Sequence, residues 1–509
     1  MELTPTWLEA MRRPQYPSLS RDLIVDVVVI GGGITGVTAA YLLKKAGRRV
    51  ALIERDRCGG VDTSYTTAHL TCVTDTRLHR LVRTFGENHA KAAWDAGCAA
   101  IDQIAANIQT EEIECEFKWV PGFLFAAMDG REPDSRALRR DAALACRFGF
   151  PAEYMEAVPH FGVAGVKFSN QAKFHPLRYL NHLARLIPGG GSHVFEKTEA
   201  TGFAEKPLTV MANQHSIHCR HLILATHTPL AGKGGLISAT LLMTKLYLYS
   251  SYVLGASMPR GVLPEALFWD TASPYHYVRV DRRRSSDYLI FGGEDHKTGQ
   301  AEHTKNVYGR LERQLHKWFP EAVVQNRWSG QVIETNDGLP FIGETAENQF
   351  AATGFSGNGM TYGTLGGMMA VDACLGRRNP WAELFSPQRK KLRGGTWHYL
   401  KENADYPYYL VRNWIAGTES KNLLDLKPGG GKILNHDGRK VAAYRDELGR
   451  VTLCSPVCTH LGCIVAWNEA EQTWDCPCHG SRFRPTGEVL SGPAEKNLEQ
   501  LKDGEARAP

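Results

Sequence analysis

Long apolar runs are missing from this 509-residue chain. No stretch approaches the roughly 18–20 uninterrupted apolar residues that a membrane-spanning helix needs. The most apolar segment, Ile24 to Leu43, carries Asp26 and three consecutive glycines. The segment Met1 to Asp22 has no apolar h-region, and its Arg12-Arg13 pair lacks what a twin-Arg signal would need. A cytoplasmic location is therefore expected. Charge of one sign is also scarce: a net +5 with no Lys/Arg block leaves no footprint for nucleic acid. No internal repeat is visible. What is present, 43% apolar and 22% charged residues, is the composition of an ordinary globular chain. The length exceeds what one core serves, so two or three domains are expected.

Cysteine is the exception to this plainness. Seven of the twelve cysteines are scattered from Cys58 to Cys374, whereas five crowd between Cys454 and Cys478, as a metal or redox site requires. Along the chain, the pattern predicts a strand over Leu23–Ile30, a helix over Val37–Ala46 and a second strand over Arg48–Ile53. Helices are predicted at Glu87–Asn107 and Ser135–Phe148. Short apolar strands are expected at His221–Ala225 and Gln349–Thr353, and antiparallel strands at Tyr247–Leu254, Tyr275–Val280 and Tyr288–Phe291. After Leu375 the texture changes. A Pro- and Arg-rich stretch, Arg377 to Gly395, and an aromatic one, Tyr399 to Trp414, lead to Lys427-Pro-Gly-Gly-Gly431 and the cysteine cluster.

Gly31-x-Gly33-x-x-Gly36 follows the first strand and opens the helix. The first glycine permits the tight turn and the second lets a pyrophosphate approach the backbone. The third lets helix pack closely on strand, and the phosphates sit at the positive end of the helix dipole. Glu54 ends the next strand about 20 residues on, placed to accept hydrogen bonds from ribose hydroxyls. FAD and NAD both fit this motif. It occurs once, so there is room for one dinucleotide.

Four stretches narrow the choice: Asp26–Glu54, Gly60–Thr71, His221–Pro229, and Trp328–Gly343 running on to Thr353–Met360. With them, roughly the first 375 residues resemble the D-amino-acid oxidase-type FAD family, which includes sarcosine, glycine and glutamylputrescine oxidases. The resemblance implies FAD, held by Gly31, Gly33, Gly36, Glu54, Arg55, Thr66, Thr67, Ala225, Thr226, Gly354, Gly357, Gly359 and Met360. The last four open a helix whose N-terminus would face the flavin and stabilise negative charge on the reduced ring. His227 stands where the family usually has glycine. Val332 stands where glycine-oxidase-like members place an Arg for the substrate carboxylate, which argues against a free α-amino acid as substrate. Some members tether the flavin through Cys or His, but neither Cys58 nor His69 is in clear register, so non-covalent FAD is expected. His69, Tyr275, His276, Arg279 and Glu334 are the polar candidates beside the ring, with Glu334 able to attract an ammonium group; His296 reads equally as a turn residue.

Cys458-Thr-His460-Leu-Gly-Cys463 and Cys476-Pro-Cys478-His479-Gly-Ser481-Arg-Phe483 carry the second chemistry. Cys and His at short spacing also suit tetrahedral zinc, but both words fit a Rieske [2Fe–2S] centre, in which two His replace two Cys on one iron. The resemblance to Rieske proteins implies that Cys458 and Cys476 bind one iron and His460 and His479 the other. It also implies a disulfide between Cys463 and Cys478; two free thiols are the alternative in a reducing compartment. Ser481 matches a serine that hydrogen-bonds a bridging sulfide, and Phe483 replaces a tyrosine of the high-potential proteins. A potential within roughly −150 to +300 mV but below the top of that range is expected.

The expected architecture is an α/β FAD-binding Rossmann-type domain with an α+β substrate domain on an antiparallel sheet, followed by a small all-β Rieske domain. FAD-binding parts are expected at about 22–90, 170–235 and 328–385 and substrate-domain parts at about 91–169 and 236–327, within an oxidoreductase unit of about 1–385. A linker at about 386–415 and a Rieske domain at about 416–505 follow. Together the cofactors imply an oxidoreductase that takes hydride from a small amine or amino-acid-like substrate onto FAD. Electrons then pass singly through the cluster to an external protein or quinone. The alternative is an electron-transfer or redox-sensing protein with no organic substrate, which predicts a closed flavin pocket. An acidic-x-x-His-x-x-x-His iron site and a second fingerprint are missing, which disfavours a Rieske oxygenase and a ferredoxin reductase.

Overall fold

In the computed structural model of the chain, the described residues are 4–9, 11–128, 135–228, 242, 245–301, 304–389, 423, 426–436, 439–460, 462–494 and 496–501. The aromatic stretch Tyr399–Trp414 and nearly all of the expected linker lie outside them.

A six-stranded sheet carries the glycine turn. Its order is Phe341–Ala346, Gln349–Thr353, His221–Leu224, Val27–Ile30, Val50–Ile53, His193–Phe195. All neighbours are parallel except the first, antiparallel pair. The strands Val27–Ile30 and Val50–Ile53 are buried throughout and β-branched-rich, as a sheet covered on both faces demands. Helix Ile34–Lys45 leaves the glycine turn three residues earlier than expected. The predicted strand Leu23–Ile30 is divided. Asp26 turns its carboxylate onto the Arg49 N–H (2.8 Å), and Leu23–Ile24 joins a separate four-stranded sheet beside Ile217–His218.

The second large sheet has nine strands, mostly antiparallel, with one parallel pair between Leu267–Asp270 and Lys118–Phe125. Its long strands Leu246–Met258 and Asp287–Lys297 exceed the expected segments, and Val323–Thr335 is a strand not among those expected. Residue 328, expected to begin a FAD-binding part, falls inside Val323–Thr335, which pairs along its length with Leu246–Met258. The strand expected at Tyr275–Val280 runs instead over Tyr277–Arg282, because Asp270 Oδ1 accepts the Ala272 and His276 N–H groups (3.0 Å each) and holds the preceding residues in a turn. One face of this sheet packs on Val307–Trp318 through an aromatic core of Phe123, Phe125, Phe161, Phe268, Phe291 and Trp318; the other face looks toward the glycine turn.

The C-terminal unit holds two small antiparallel sheets, Gly431–His436/Arg439–Arg445/Val451–Cys454 and Ala466–Asn468/Thr473–Asp475/Arg482–Phe483/Val489–Ser491. No helix among the described residues is long and apolar enough to cross a membrane.

Candidate functional site

Two adjoining cavities of about 200 and about 160 Å³ share Gly33, Asp62, Thr63, Ala225 and His227, forming one groove across the C-terminal ends of the parallel strands. The glycine turn leaves no room for side chains. A Cβ on Gly31 (φ +107°) would lie 2.3 Å from Ala225 O, and one on Gly36 would lie 1.9 Å from Gly31 O. Glu54, half-buried, lines the narrower cavity. Its Oε2 accepts the Gly32 N–H at 2.7 Å and its Oε1 the Asp56 N–H at 2.8 Å. Each oxygen retains a second lone pair, and desolvation raises the carboxyl above its ordinary range. Arg55 and Thr226 line this cavity, whereas Thr66, Thr67, Gly354, Gly357, Gly359 and Met360 line the wider one. His227 has φ +64°, a conformation that favours glycine, which explains the glycine usual at that position. The dimensions of the groove and its glycine cradle fit a dinucleotide.

The polar candidates separate. His69 lines the wider cavity. Its Nδ1 meets Thr67 Oγ1 at 3.0 Å while Nε2 is buried without a partner, and burial, aided by the Arg279 charge, pushes the imidazole down to about 3. Tyr275 also lines the cavity, whereas the remaining three do not. His276 packs between Phe291 and Trp318 on the opposite face of the sheet, its Nδ1 3.3 Å from Asp270 Oδ2. Arg279 is buried, paired to Asp281 (3.0 Å) and donating to Thr67 O and Ala68 O, so it braces the Thr66–His69 segment from behind. Glu334 is exposed on its strand. His296 stacks on Tyr252. Sequence reasoning missed Asp75, Asp295 and Gln331, which all line the wider cavity.

In the C-terminal unit the loops 458–463 and 476–481 converge. The rings of His460 and His479 stand 4.9 Å apart, nearly perpendicular. Burial keeps both imidazoles neutral, His479 being pushed down to about 4, and His460 Nδ1 is buried with no hydrogen-bond partner. Neutral imidazole nitrogen beside the buried sulfurs of Cys458 and Cys476 is the donor set of a Rieske [2Fe–2S] cluster. Cys463 and Cys478 form the expected disulfide, and the Cys476 sulfur lies within 4.8 Å of both its sulfurs. Ser481 is fully buried and accepts the Ala494 N–H at 3.0 Å, which leaves its own proton to donate. Phe483 is fully buried and offers no hydroxyl. Cys463→Ala should lower the stability of this unit by about 3 kcal/mol, since the disulfide closes a 15-residue loop. Denaturant unfolding followed through the cluster's visible absorption measures this, and reductant should produce the same shift in the unsubstituted protein.

The ligand loop docks on the oxidoreductase sheet. Gln331 Nε2 donates to Gly480 O at 2.8 Å, and Gln300 Nε2 donates to Pro477 O at 2.9 Å. Gly480 (φ +68°) sits against Leu248, where a Cβ would come within 2.6 Å of the leucine Cβ. Leu490–Ala494 line the narrower cavity, with Arg55 donating to Leu490 O and Thr228 to Gly492 O.

Residues 26–373 match the FAD dependent oxidoreductase family and residues 413–502 match the Rieske [2Fe-2S] domain. A Bacillus subtilis (strain 168) relative named as a Rieske 2Fe-2S iron-sulfur protein, YhfW, is 34% identical over 97% of each chain. The cytochrome b6-f complex iron-sulfur subunit of Chlorobaculum thiosulfatiphilum is 29% identical over 31% of this chain and 76% of its own. Glycine oxidase from Geobacillus kaustophilus shares the fold at a TM-score of 0.60 and 18% identity, over 72% of this chain and 99% of its own.

Proposed function

The chain belongs to the FAD dependent oxidoreductase family and carries a Rieske [2Fe-2S] domain, and from that premise we propose that it is a dehydrogenase of small amines that hands electrons on through the Rieske centre. When bound, FAD supplies two-electron acceptance and the cluster supplies one-electron relay.

Gln331 carries this reading. It lines the cavity that would hold the flavin ring and donates to Gly480 O in the cluster-ligand loop, so a single side chain spans from one site to the other. Gly31, Gly33, Gly36, Glu54, Arg55, Ala225 and Thr226 would hold the dinucleotide phosphates and ribose, and Thr66, Thr67, Gly354, Gly357, Gly359 and Met360 the ring. The helix Gly359–Cys374, whose first residues line the wider cavity, would offer its positive end to the bound flavin. Cys458, His460, Cys476 and His479 would ligate the irons. Of the five polar candidates, His69 and Tyr275 touch the cavity, where the neutral His69 ring would orient rather than carry charge. A cavity walled by several ionisable side chains favours a substrate-oxidising role over a pure carrier. The electron acceptor is a protein or quinone, and the location is cytoplasmic.

Anaerobic mixing with a panel of primary and secondary amines tests the proposal. Flavin absorbance at the visible maximum should bleach within the mixing series for at least one amine, followed by reduction of the cluster signal. A flavin that stays oxidised with every amine would favour the carrier role instead.

A further inference from the structure

The wider cavity carries three carboxyls, one of them, Asp62, 3.5 Å from His227 Nδ1. Asp62, Asp75 and Asp295 line it, and among the described lining residues there is no Lys or Arg. Asp75 is exposed to the cavity; its Oδ2 accepts the Gly357 N–H at 2.6 Å, and the Tyr275 hydroxyl donates to it. Asp295 projects from the neighbouring sheet. It is hydrogen-bonded to Ser251, but its Oδ1 is shielded from solvent and has no partner. The unmet acceptor Asp295 Oδ1, in a cavity wall without Lys or Arg, implies a ligand that brings its own N–H donors and positive charge.

Building on the dehydrogenase reading, we infer that Asp295, with Asp75 beside it, selects an organic ammonium that carries no carboxylate next to its nitrogen. The aminium donates N–H to Asp295 Oδ1, where a charge-assisted hydrogen bond replaces the missing partner. The same carboxylate can take the proton: one N–H bond breaks, one O–H bond forms, and the nitrogen lone pair is freed as the amine must have it before oxidation. Burial, reinforced by the charges of Asp75 and Glu294 and opposed by Ser251 and His276, pushes the Asp295 carboxyl up to about 7. Tyr275 and Tyr277 also face this carboxyl; burial raises both hydroxyls, which stay neutral. The ionised form of Asp295 therefore grows in across neutrality, and ammonium affinity should rise about tenfold from pH 6 to pH 8.

The test uses holoenzyme with tert-butylammonium, which has no hydrogen on the carbon attached to nitrogen and cannot be oxidised there, and with pivalate, its counterpart of the same shape and opposite charge. Binding is read as a shift in flavin absorption and by calorimetry. The ammonium should bind and pivalate should not. Asp295→Asn should weaken ammonium binding about tenfold or more and flatten its pH dependence, with flavin content and cluster signal unchanged. Pivalate binding as well as the ammonium in the unsubstituted protein, or an Asp295→Asn protein with full ammonium affinity and the original pH profile, overturns the inference. Ammonium binding without bleaching by any oxidisable amine would support the cation site while overturning the dehydrogenase reading; bleaching by a carboxylate-bearing amine together with pivalate binding does the reverse.

Discussion

Cys476→Ser is expected to yield a yellow protein that still accepts two electrons from its substrate but passes them to a one-electron acceptor at least ~100-fold more slowly. Serine keeps the shape of the loop and removes a soft thiolate that iron requires. Cys476 is buried, packed against the Cys463–Cys478 disulfide, and its N–H donates to Ser481 O at 2.7 Å, so the backbone has other supports when the sulfur goes. Electron paramagnetic resonance of the reduced protein and acid-labile sulfide should both fall to background. Rapid-mixing reduction of the flavin should remain within about twofold of the unsubstituted rate, because Gln331 and not the cluster faces the cavity. If flavin reduction and acceptor turnover fell together, the two centres would not act in series.

Gly36→Val should have a comparable effect at the other end. The first added carbon already meets Gly31 O at 1.9 Å, a backbone atom that cannot move without dragging the turn from its place against Ala225. Helix Ile34–Lys45 would have to back away from its strand, opening the point at which phosphates approach the helix N-terminus. Flavin affinity should fall at least ~100-fold, equivalent to ~2.7 kcal/mol. The flavin-to-protein absorbance ratio after desalting measures it, and titration with added FAD separates weakened binding from failure to fold. The cluster signal, supplied by residues far along the chain, should persist.

How much of this was legible in the sequence depended on whether chemistry or geometry set each position. The glycine turn, Glu54 and the Cys/His words are fixed by spacing along a few residues, and the structure places the members of each group close together. Residues placed by strand alternation were harder. His276 lies between Tyr275 and Tyr277, which face the cavity, and therefore points to the aromatic core beyond; Glu334 is turned out in the same way from between Ile333 and Thr335. Period two along Tyr288, Ile290 and Gly292 would send Asp295 to the far face as well. The pairing with Leu246–Met258 slips between Ser250 and Tyr252, and Glu294 takes φ +60°, so the strand bulges and Asp295 swings inward. Nothing in the local sequence announces that slip. Gln331 is equally silent, because its role depends on a loop some 150 residues away, joined to it only by tertiary packing.

The strip Leu490–Ala494 forms one wall of the groove expected to hold the dinucleotide. Seating the nucleotide and clamping the small C-terminal unit then reinforce each other, and reciprocity requires that each favour the other by the same factor. A newly made chain starved of riboflavin should therefore display a loosened tail, its iron site more open to oxidants and proteases than in the flavinated form. Vitamin supply would thus govern how well the metal centre survives.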